Sequence, residues 1–323
     1  MKISSGYASA MVLLLASCTV GPNYQPPGMD LPAKYSETKA KSSETVALNP
    51  WWNAFRDKRL TALVDEGLAQ NLDVMSAIER IVIARENVVL AGAGSLPHVD
   101  KSASAIASGN SQKNSNTELT LSTGVGGSWM LDFFGQYKRA KEAANANLDA
   151  AYDNVSVAKL AFLADLTASY VQLRFTQESI ALSRQNLESR RATLKLVNDM
   201  RGGGQATRLD EVQAEGLVNQ SLTEIPRLEV DFHAAANHIA TLLGVPAATL
   251  TPRLSRGGGQ PSPRYSTKIG VPADLIRNRP DIRRAERLLA AATAEIGVSE
   301  AQLYPSISLG GTVDGTRVIS SSS

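Results

Sequence analysis

The chain is poor in the residue types from which most catalytic and metal sites are built. It holds one cysteine, Cys18, in 323 residues, which excludes an internal disulfide framework and a multi-cysteine metal cluster. Its only histidines are His98, His233 and His238. His233 and His238 lie five apart and do not share a helix face as an i, i+4 metal pair would, so all three read as solvated or core side chains. Aromatic residues make up 5% of the chain, low for a compact globular enzyme of this length. Neither sign of charge dominates: 33 basic residues face 31 acidic ones, for a net charge of +2, and nothing argues for a nucleic-acid partner. No Ser/His/Asp set presents itself, and the chain reads as no enzyme. Nor is there an apolar run of the roughly 20 residues a membrane-spanning helix needs. Any membrane contact must come through β-strands or an attached lipid.

The longest apolar stretch, Ala10 to Ala16, follows Lys2 and precedes small residues. It has the form of a signal peptide covering residues 1–17. The run Leu15-Ala16-Ser17-Cys18 is a bacterial lipoprotein cleavage site, at which the Cys18 thiol takes a diacylglyceryl group and the freed amine an acyl chain. Thr19, where an aspartate would favour inner-membrane retention, is compatible with sorting to the outer membrane. No other cofactor is expected. Residues 18–56 read as a lipidated tether rich in Pro, Ser, Thr and Lys, with Trp51, Trp52 and Phe55 as a packing anchor.

What the chain has in quantity is periodic sequence. Leu60, Leu63, Val64, Leu68, Val74, Ile78, Ile81 and Val88 predict one long helix from Leu60 to about Ser95, closed by Pro97. Two strand-like runs follow, over residues 97–108 and 117–131. In the second, Leu119, Leu121, Thr123, Val125, Gly127, Trp129 and Leu131 alternate with Glu118, Thr120, Ser122, Gly124, Gly126 and Ser128. One face is apolar and the other polar or tiny, the period of a barrel strand with lipid outside and water inside. From Gly135 to Met200 there is no interior Gly or Pro, and Leu166, Leu173, Ile180, Leu187 and Leu194 recur every seventh residue. The run Arg201-Gly202-Gly203-Gly204 breaks this helix before a second one from Thr207 to Leu243, giving a long antiparallel hairpin over 135–243. Residues 251–271 read as a Pro/Gly/Ser-rich linker. A helix from Pro272 to Leu303 and a third strand complete residues 272–323.

Asp132 is expected to cap the first long helix, and Trp129, Phe133, Phe134 and Tyr137 to form an aromatic belt at a membrane interface. The glycine run at 202–204 is no phosphate cradle, because no Gly-Lys-Ser/Thr follows and helix precedes it. Its pentapeptide recurs at Arg256–Gln260, where it reads as flexible linker.

An internal repeat organises these elements. Asn71-Leu72-Asp73-Val74 corresponds to Arg279-Pro280-Asp281-Ile282, Ala77 to Ala285, Ala84 to Ala292 and Pro97 to Pro305, each pair 208 positions apart. Residues 57–250 form a first copy, with helix, two strands and long hairpin. The second copy, from 272, holds only a helix and a strand and is read as incomplete.

The segments Cys18-Thr19-Val20-Gly21-Pro22-Asn23-Tyr24, Trp51-Trp52 with Phe55 and Leu60, Ser128-Trp129-Met130-Leu131-Asp132-Phe133-Phe134-Gly135, and Val271 to Leu275 with Arg279 to Ile282 resemble the outer-membrane factor family of efflux systems. These are TolC-like proteins, here of the OprM/NodT-type lipoprotein branch. The resemblance implies an α+β membrane protein in which long antiparallel helical hairpins, forming a periplasmic tunnel, join transmembrane strands of a shared trimeric barrel. It implies a homotrimer in the cell outer membrane, lipid-anchored and with a periplasmic extension. It further implies docking on a periplasmic adaptor linked to an inner-membrane pump, and passive export of drugs, metals or other small solutes. By the family's pattern, Arg201, Gly204, Gln205 and Thr207 form the adaptor-contact tip. The family's second hairpin is not found here, so a chain of this extent is expected not to assemble the conduit alone, and no aperture residue is assigned. The competing reading is a lipid-anchored periplasmic coiled-coil adaptor. It is weaker because the hairpin follows a two-faced strand pair instead of enclosing a lipoyl-like domain.

Overall fold

The computed structural model describes residues 19–28, 50–109, 117–264 and 276–321. Cys18 and the polar loop at 110–116 lie outside the described residues. Among the described elements, a 3₁₀ turn at Trp51–Phe55 precedes α1 (Lys58–Gln70), α2 (Leu72–Ala93), β1 (His98–Gly109) and β2 (Thr117–Leu131). Then come α3 (Gln136–Gly202), α4 (Arg208–Leu243), α5 (Ala247–Leu254), α6 (Pro280–Ala301) and β3 (Ile307–Ser321). The chain divides into two compact units, one of Met1–Met29, Arg80–Asp153 and Asp281–Ser323, the other of Asp30–Glu79 and Asn154–Pro280.

In the first unit β1, β2 and β3 form one antiparallel sheet with β2 in the centre. The register is unbroken: Ala105 pairs with Leu121, which pairs with Arg317, and Lys101 pairs with Val125, which pairs with Val313. Directly opposed residues share a face. One face therefore carries Val99, Leu121, Val125, Trp129, Leu309 and Val313, and the other Ser102, Ser104, Thr120, Ser122, Gly124 and Asp314. The helices of this unit meet through small residues, with Ala143, Ala150, Ala290, Ala291, Ala294 and Ala301 all buried. Arg283 closes an ion pair of 2.9 Å on the buried Asp153.

The second unit is helical. Its core joins Leu60, Leu63 and Val64 of α1, Phe162, Leu166, Tyr170 and Leu173 of α3, Phe232, Ile239 and Leu243 of α4, and Leu250 and Leu254 of α5. Trp51, Trp52 and Phe55 pack on this cluster as the anchor the sequence suggests. Of the heptad series, Leu166, Leu173 and Leu187 are buried, and Ile180 and Leu194 are half-buried. Helix α4 opens with a reciprocal box in which the Thr207 hydroxyl accepts from the Asp210 amide and the Asp210 carboxylate accepts from the Thr207 amide. It runs through Pro226 without interruption and ends at Gly244, whose φ of 67° is left-handed.

Three elements differ from the sequence reading. The single helix expected over 60–95 is two helices, because Asn71 is extended (φ −62°, ψ 123°). Its side-chain oxygen accepts from the Val74 amide and starts α2, while its amide nitrogen donates to the Leu242 carbonyl. The helix expected from Pro272 to Leu303 is interrupted at 278–279: residues 276–277 are helical, α6 starts with Pro280 as its first residue, and residues 265–275 lie outside the described ones. The linker expected at 251–271 begins inside a helix, since α5 buries Leu250 and Leu254 one turn apart. Nor is Arg256–Gln260 loose. Arg59 and Arg174 both donate to the Arg256 carbonyl at 2.8 and 3.0 Å, and the backbone of Gly258 lies against the Arg174 guanidinium.

The repeat holds in three dimensions. Helices α2 and α6 are each 22 residues long, and both ends are shifted by 208 positions (72 to 280, 93 to 301). Each carries an aspartate, Asp73 or Asp281, in its first turn and leads into a strand.

A buried polar chain in the second unit fixes how α3 meets α1. The Tyr170 hydroxyl donates to Asp57 at 2.6 Å and accepts from Arg174 at 2.9 and 2.7 Å. Burial and the Asp57 carboxylate push the Tyr170 hydroxyl up to about 12. Asp57, although penalised by burial, titrates below its ordinary value because Tyr170 and the amides of Leu60 and Arg59 hold it ionised. Its contribution to stability is therefore complete above the unfolded carboxylate range and is lost as pH falls through the lowered value. Tyr170→Phe is expected to lower stability by about 1–3 kcal/mol by removing a partner from the buried Arg174 and the half-buried Asp57. Urea unfolding monitored by circular dichroism checks this, and Asp57→Asn should flatten the acid limb of the stability profile.

Candidate functional site

Two places concentrate unusual structure: the strand-to-helix junction of the sheet unit and the turn of the helical hairpin. At the junction β2 ends at Leu131 and α3 begins at Gln136. Asp132 accepts from the Lys138 amide at 3.0 Å, so the expected cap is present, reached from four residues before the helix. Gly135 takes a φ of 79°, and a side chain there would strike Thr19. The chain after Cys18 is locked at this point. The Val20 amide donates to the Phe134 carbonyl at 3.2 Å. Arg139, 3% exposed, donates to the carbonyls of Val20 and Gly21, to the Asn23 side-chain oxygen and to Glu142, all within 2.8 to 3.0 Å. Gly21 (φ 89°) passes so close to Gly297 that a Cβ would sit 2.4 Å from its Cα. The Tyr24 hydroxyl donates to Glu286 at 3.2 Å, and burial, then that carboxylate, raise its titration.

Sequence reasoning missed Arg139. A signal existed: it stands in the first turn of α3, where the positive end of the helix dipole opposes a cation. Such a cation needs acceptors from elsewhere, and the two carbonyls of the tether supply them.

The four aromatic residues singled out in the sequence fall in this unit but serve different partners. Phe134 stacks on Tyr304 with centroids 4.6 Å apart. Tyr137 lies over Gly94, where a Cβ would meet its ring. Trp129 keeps its ring on the apolar face of β2 and donates to the Ser95 carbonyl at 2.9 Å. Phe133 is half-buried and lines, with Phe134 and Tyr137, a depression that also touches Tyr304 and Pro305.

The sheet's apolar face is open to its surroundings. Val99 is 63%, Leu309 64% and Val313 79% exposed, and Leu121, Val125, Ile307 and Ile319 are exposed with them. A continuous exposed face of this extent marks contact with a membrane or another protein. Among the described residues no helix is long and apolar enough to cross a bilayer.

At the hairpin turn, Gly204 has a φ of 74°, its amide bonds to the Arg201 carbonyl at 3.0 Å and the Gln205 amide to the Met200 carbonyl at 2.8 Å. This is the left-handed helix stop that only glycine adopts without strain. Thr207 then caps α4, so Gly204, Gln205 and Thr207 are brought together. Arg201 is not a free cation: it and Arg208 both pair with the Glu211 carboxylate, whose side chain is 10% exposed. The sequence reading did not include Glu211.

Of the histidines, His98 faces Asp100 at 2.8 Å and His238 faces Asp165 at 3.0 Å, all exposed, and the His233 ring meets Phe232 edge to face.

The profile of the outer membrane efflux protein family matches residues 63–245. The chain belongs to that family. It is 50% identical over 304 residues to nodulation protein T of Rhizobium leguminosarum bv. trifolii, covering 93% of this chain and 65% of that protein. It is 30% identical over 308 residues to the pyoverdine export outer membrane protein OpmQ of Pseudomonas aeruginosa, covering 92% of this chain and 64% of that one. The chain thus spans just under two thirds of these relatives. The solved structure of the outer-membrane channel OprN superposes with a TM-score of 0.80 at 31% identity, over 95% of this chain and 73% of that one. Family membership gives the two-faced sheet its setting, the outer membrane, and gives the long helices the fold of efflux channels.

Glu211→Gln is expected to leave Arg201 and Arg208 around a neutral amide. Limited trypsin digestion should then cut after one of these arginines about 10-fold faster, a local loss of about 1.4 kcal/mol.

Proposed function

We propose that this protein is a lipid-anchored channel subunit of an outer-membrane efflux assembly, a passive duct for small solutes. The observation that carries this reading is the sheet. Three strands in unbroken register leave one face mostly apolar and exposed, with Lys101 and Arg317 as its charged residues, and the other lined mainly by hydroxyls, glycines and carboxylates, with Ile106 and Val318 among them. A bilayer is the solvent that makes such an apolar face favourable, and water on the opposite face suits the serines. Among the described residues, β1 and β3 each leave one edge unpaired, and unpaired edges are costly in lipid. Further strands beside them, as in the shared barrel of the family, would answer that cost.

In this reading Cys18 carries the lipid. The Arg139 clasp supports it, because it holds Val20 and Gly21 at the junction and so fixes where acyl chains would emerge. Trp129, with Phe133, Phe134 and Tyr137 beside it, would mark the interface at the helix-proximal end of the strands. The hairpin turn suits an adaptor contact. Gly204, Gln205 and Thr207 give it a fixed, compact shape, and the Arg201–Glu211–Arg208 group gives it a defined charge pattern. An inner-membrane pump would supply the energy, as the family resemblance implies. The compound exported would be chosen mainly by that pump. The adaptor alternative is disfavoured by the exposed apolar sheet, which a peripheral protein would have to cover.

Cys18→Ser should abolish incorporation of labelled palmitate and, because cleavage at this site needs the lipidated cysteine, leave residues 1–17 attached, which a mass shift on an immunoblot checks. Gly204→Val, which forces a β-branched residue into a left-handed φ, should cut co-purification with a cross-linked adaptor about 10-fold or more with little change in fractionation. Normal adaptor capture by Gly204→Val would count against the tip assignment, and a Sarkosyl-soluble wild-type chain would count against the barrel.

A further inference from the structure

The charged residues of the sheet are sorted by face. Register and alternation put Asp100, Glu118 and Asp314 on the hydroxyl-lined face. They put Lys101 and Arg317, and no carboxylate, on the apolar face. Arg317 is exposed and has no hydrogen-bond or ion-pair partner among the described residues. A cation on such a face is expensive unless an anion meets it. The register also brings a groove to its side. Ala103, Thr123 and Gly315 form one cross-strand row, and Ala105, Leu121 and Arg317 the row two residues on. Both rows point to the apolar face, and the residues between them, Ser104, Ser122 and Thr316, point away. Small side chains in the first row leave a mostly apolar trough, and the Arg317 guanidinium stands at one end of the second.

We infer that this trough is a lipid site: it takes an acyl chain of a membrane lipid whose phosphate is held by Arg317. The inference rests on the apolar face being the bilayer face, as proposed above. Arg317 lies four residues from the end of β3, the end away from the strand-to-helix junctions at Leu131 and Ile307. At roughly 3.3 Å per residue the guanidinium is within a long side chain's reach of the headgroup layer, the snorkelling geometry of membrane arginines. Because that end faces the cell exterior in an outer-membrane barrel, the occupant is a phosphorylated lipid of the outer leaflet. A planar guanidinium engages phosphate in a bidentate way that an ammonium does not. Lys101, on the same face but four residues nearer the junction end in register and outside the trough, serves as the internal control.

The test is native mass spectrometry of the full chain extracted from the outer membrane, with added bis-phosphorylated lipid A, its dephosphorylated form and phosphatidylglycerol as probes. The expected result is retention of bis-phosphorylated lipid A on the wild type. Retention should fall about 10-fold in Arg317→Gln, the scale of one lost charge-assisted contact, be partly kept in Arg317→Lys and be unchanged in Lys101→Gln. Gly315→Leu, which fills the trough and leaves the charge, should also reduce retention. Equal loss in Lys101→Gln, full retention in Arg317→Gln, or equal binding of the dephosphorylated lipid would each overturn the inference. Preference for phosphatidylglycerol would overturn the outer-leaflet assignment. Fractionation separates the two levels: a chain embedded in the outer membrane but without lipid preference sinks the lipid site alone, and a chain absent from it sinks the channel reading as well.

Discussion

The sheet must pair its backbone and cover its apolar face at the same time, and no residue described in the chain covers that face. Most of the sheet unit follows from this. A bilayer removes the alternative of bonding backbone to water, so the strands run in unbroken antiparallel register from Thr117 to Leu131 on β2. Once register is fixed, the period of two decides every side chain's surroundings. Gly124 shows how tightly that choice is made. A Cβ there would lie 2.1 Å from the Asp314 carboxylate oxygen, so the acidic side chain folds over a glycine on its own face.

The helices meet a different requirement with the same economy of residue types. Long helices that pack along their whole length need seams of regular depth, which alanine and leucine give and large rings disrupt. The low aromatic content is therefore a consequence of architecture. The few aromatic residues stand where a seam starts or a unit closes: Trp51, Trp52 and Phe55 on the core of the helical unit, and Phe134 on Tyr304 at the end of the sheet.

What could be read from the sequence was whatever depends on near neighbours. Alternation gave the strands, seventh-residue leucines gave the seam, and Gly204 and Thr207 gave the two ends of the hairpin turn within a residue or two. The repeat could be read because equal spacing survives when identity does not, and α2 and α6 keep the same length. Features that depend on distant partners stayed hidden. Asn71 looked like one polar residue in a helical run, because its decisive partner is the Leu242 carbonyl, 171 positions away. Helix α5 was lost in a Pro/Gly-rich stretch because its two buried leucines gain their meaning only from the α1–α3–α4 core. The glycines at 257–259 suggested slack, whereas the carbonyl before them is the shared acceptor of two arginines.

Arginine accounts for the last of these and for further features the sequence did not reveal, and for one physical reason. A guanidinium offers five donors in a fixed plane and cannot be neutralised by losing a proton, so burying one demands several oxygens at set angles. Arg139 meets this demand with two carbonyls, an amide oxygen and a carboxylate, and in doing so turns a proline- and glycine-bearing tether into a fixed part of the sheet unit. Arg174 meets it with a tyrosine hydroxyl, a glutamine and the Arg256 carbonyl, and holds the connector that precedes the second repeat. Arg201 and Arg208 meet it by sharing Glu211 across the hairpin turn. The two buried arginines hold irregular backbone against a helix, and Arg201 with Arg208 spans the turn, places where neither helix nor sheet periodicity could hold the chain. Segments whose positions the repeating pattern leaves free are thus fixed by a few multi-donor cations, which is why the pattern alone could not place them.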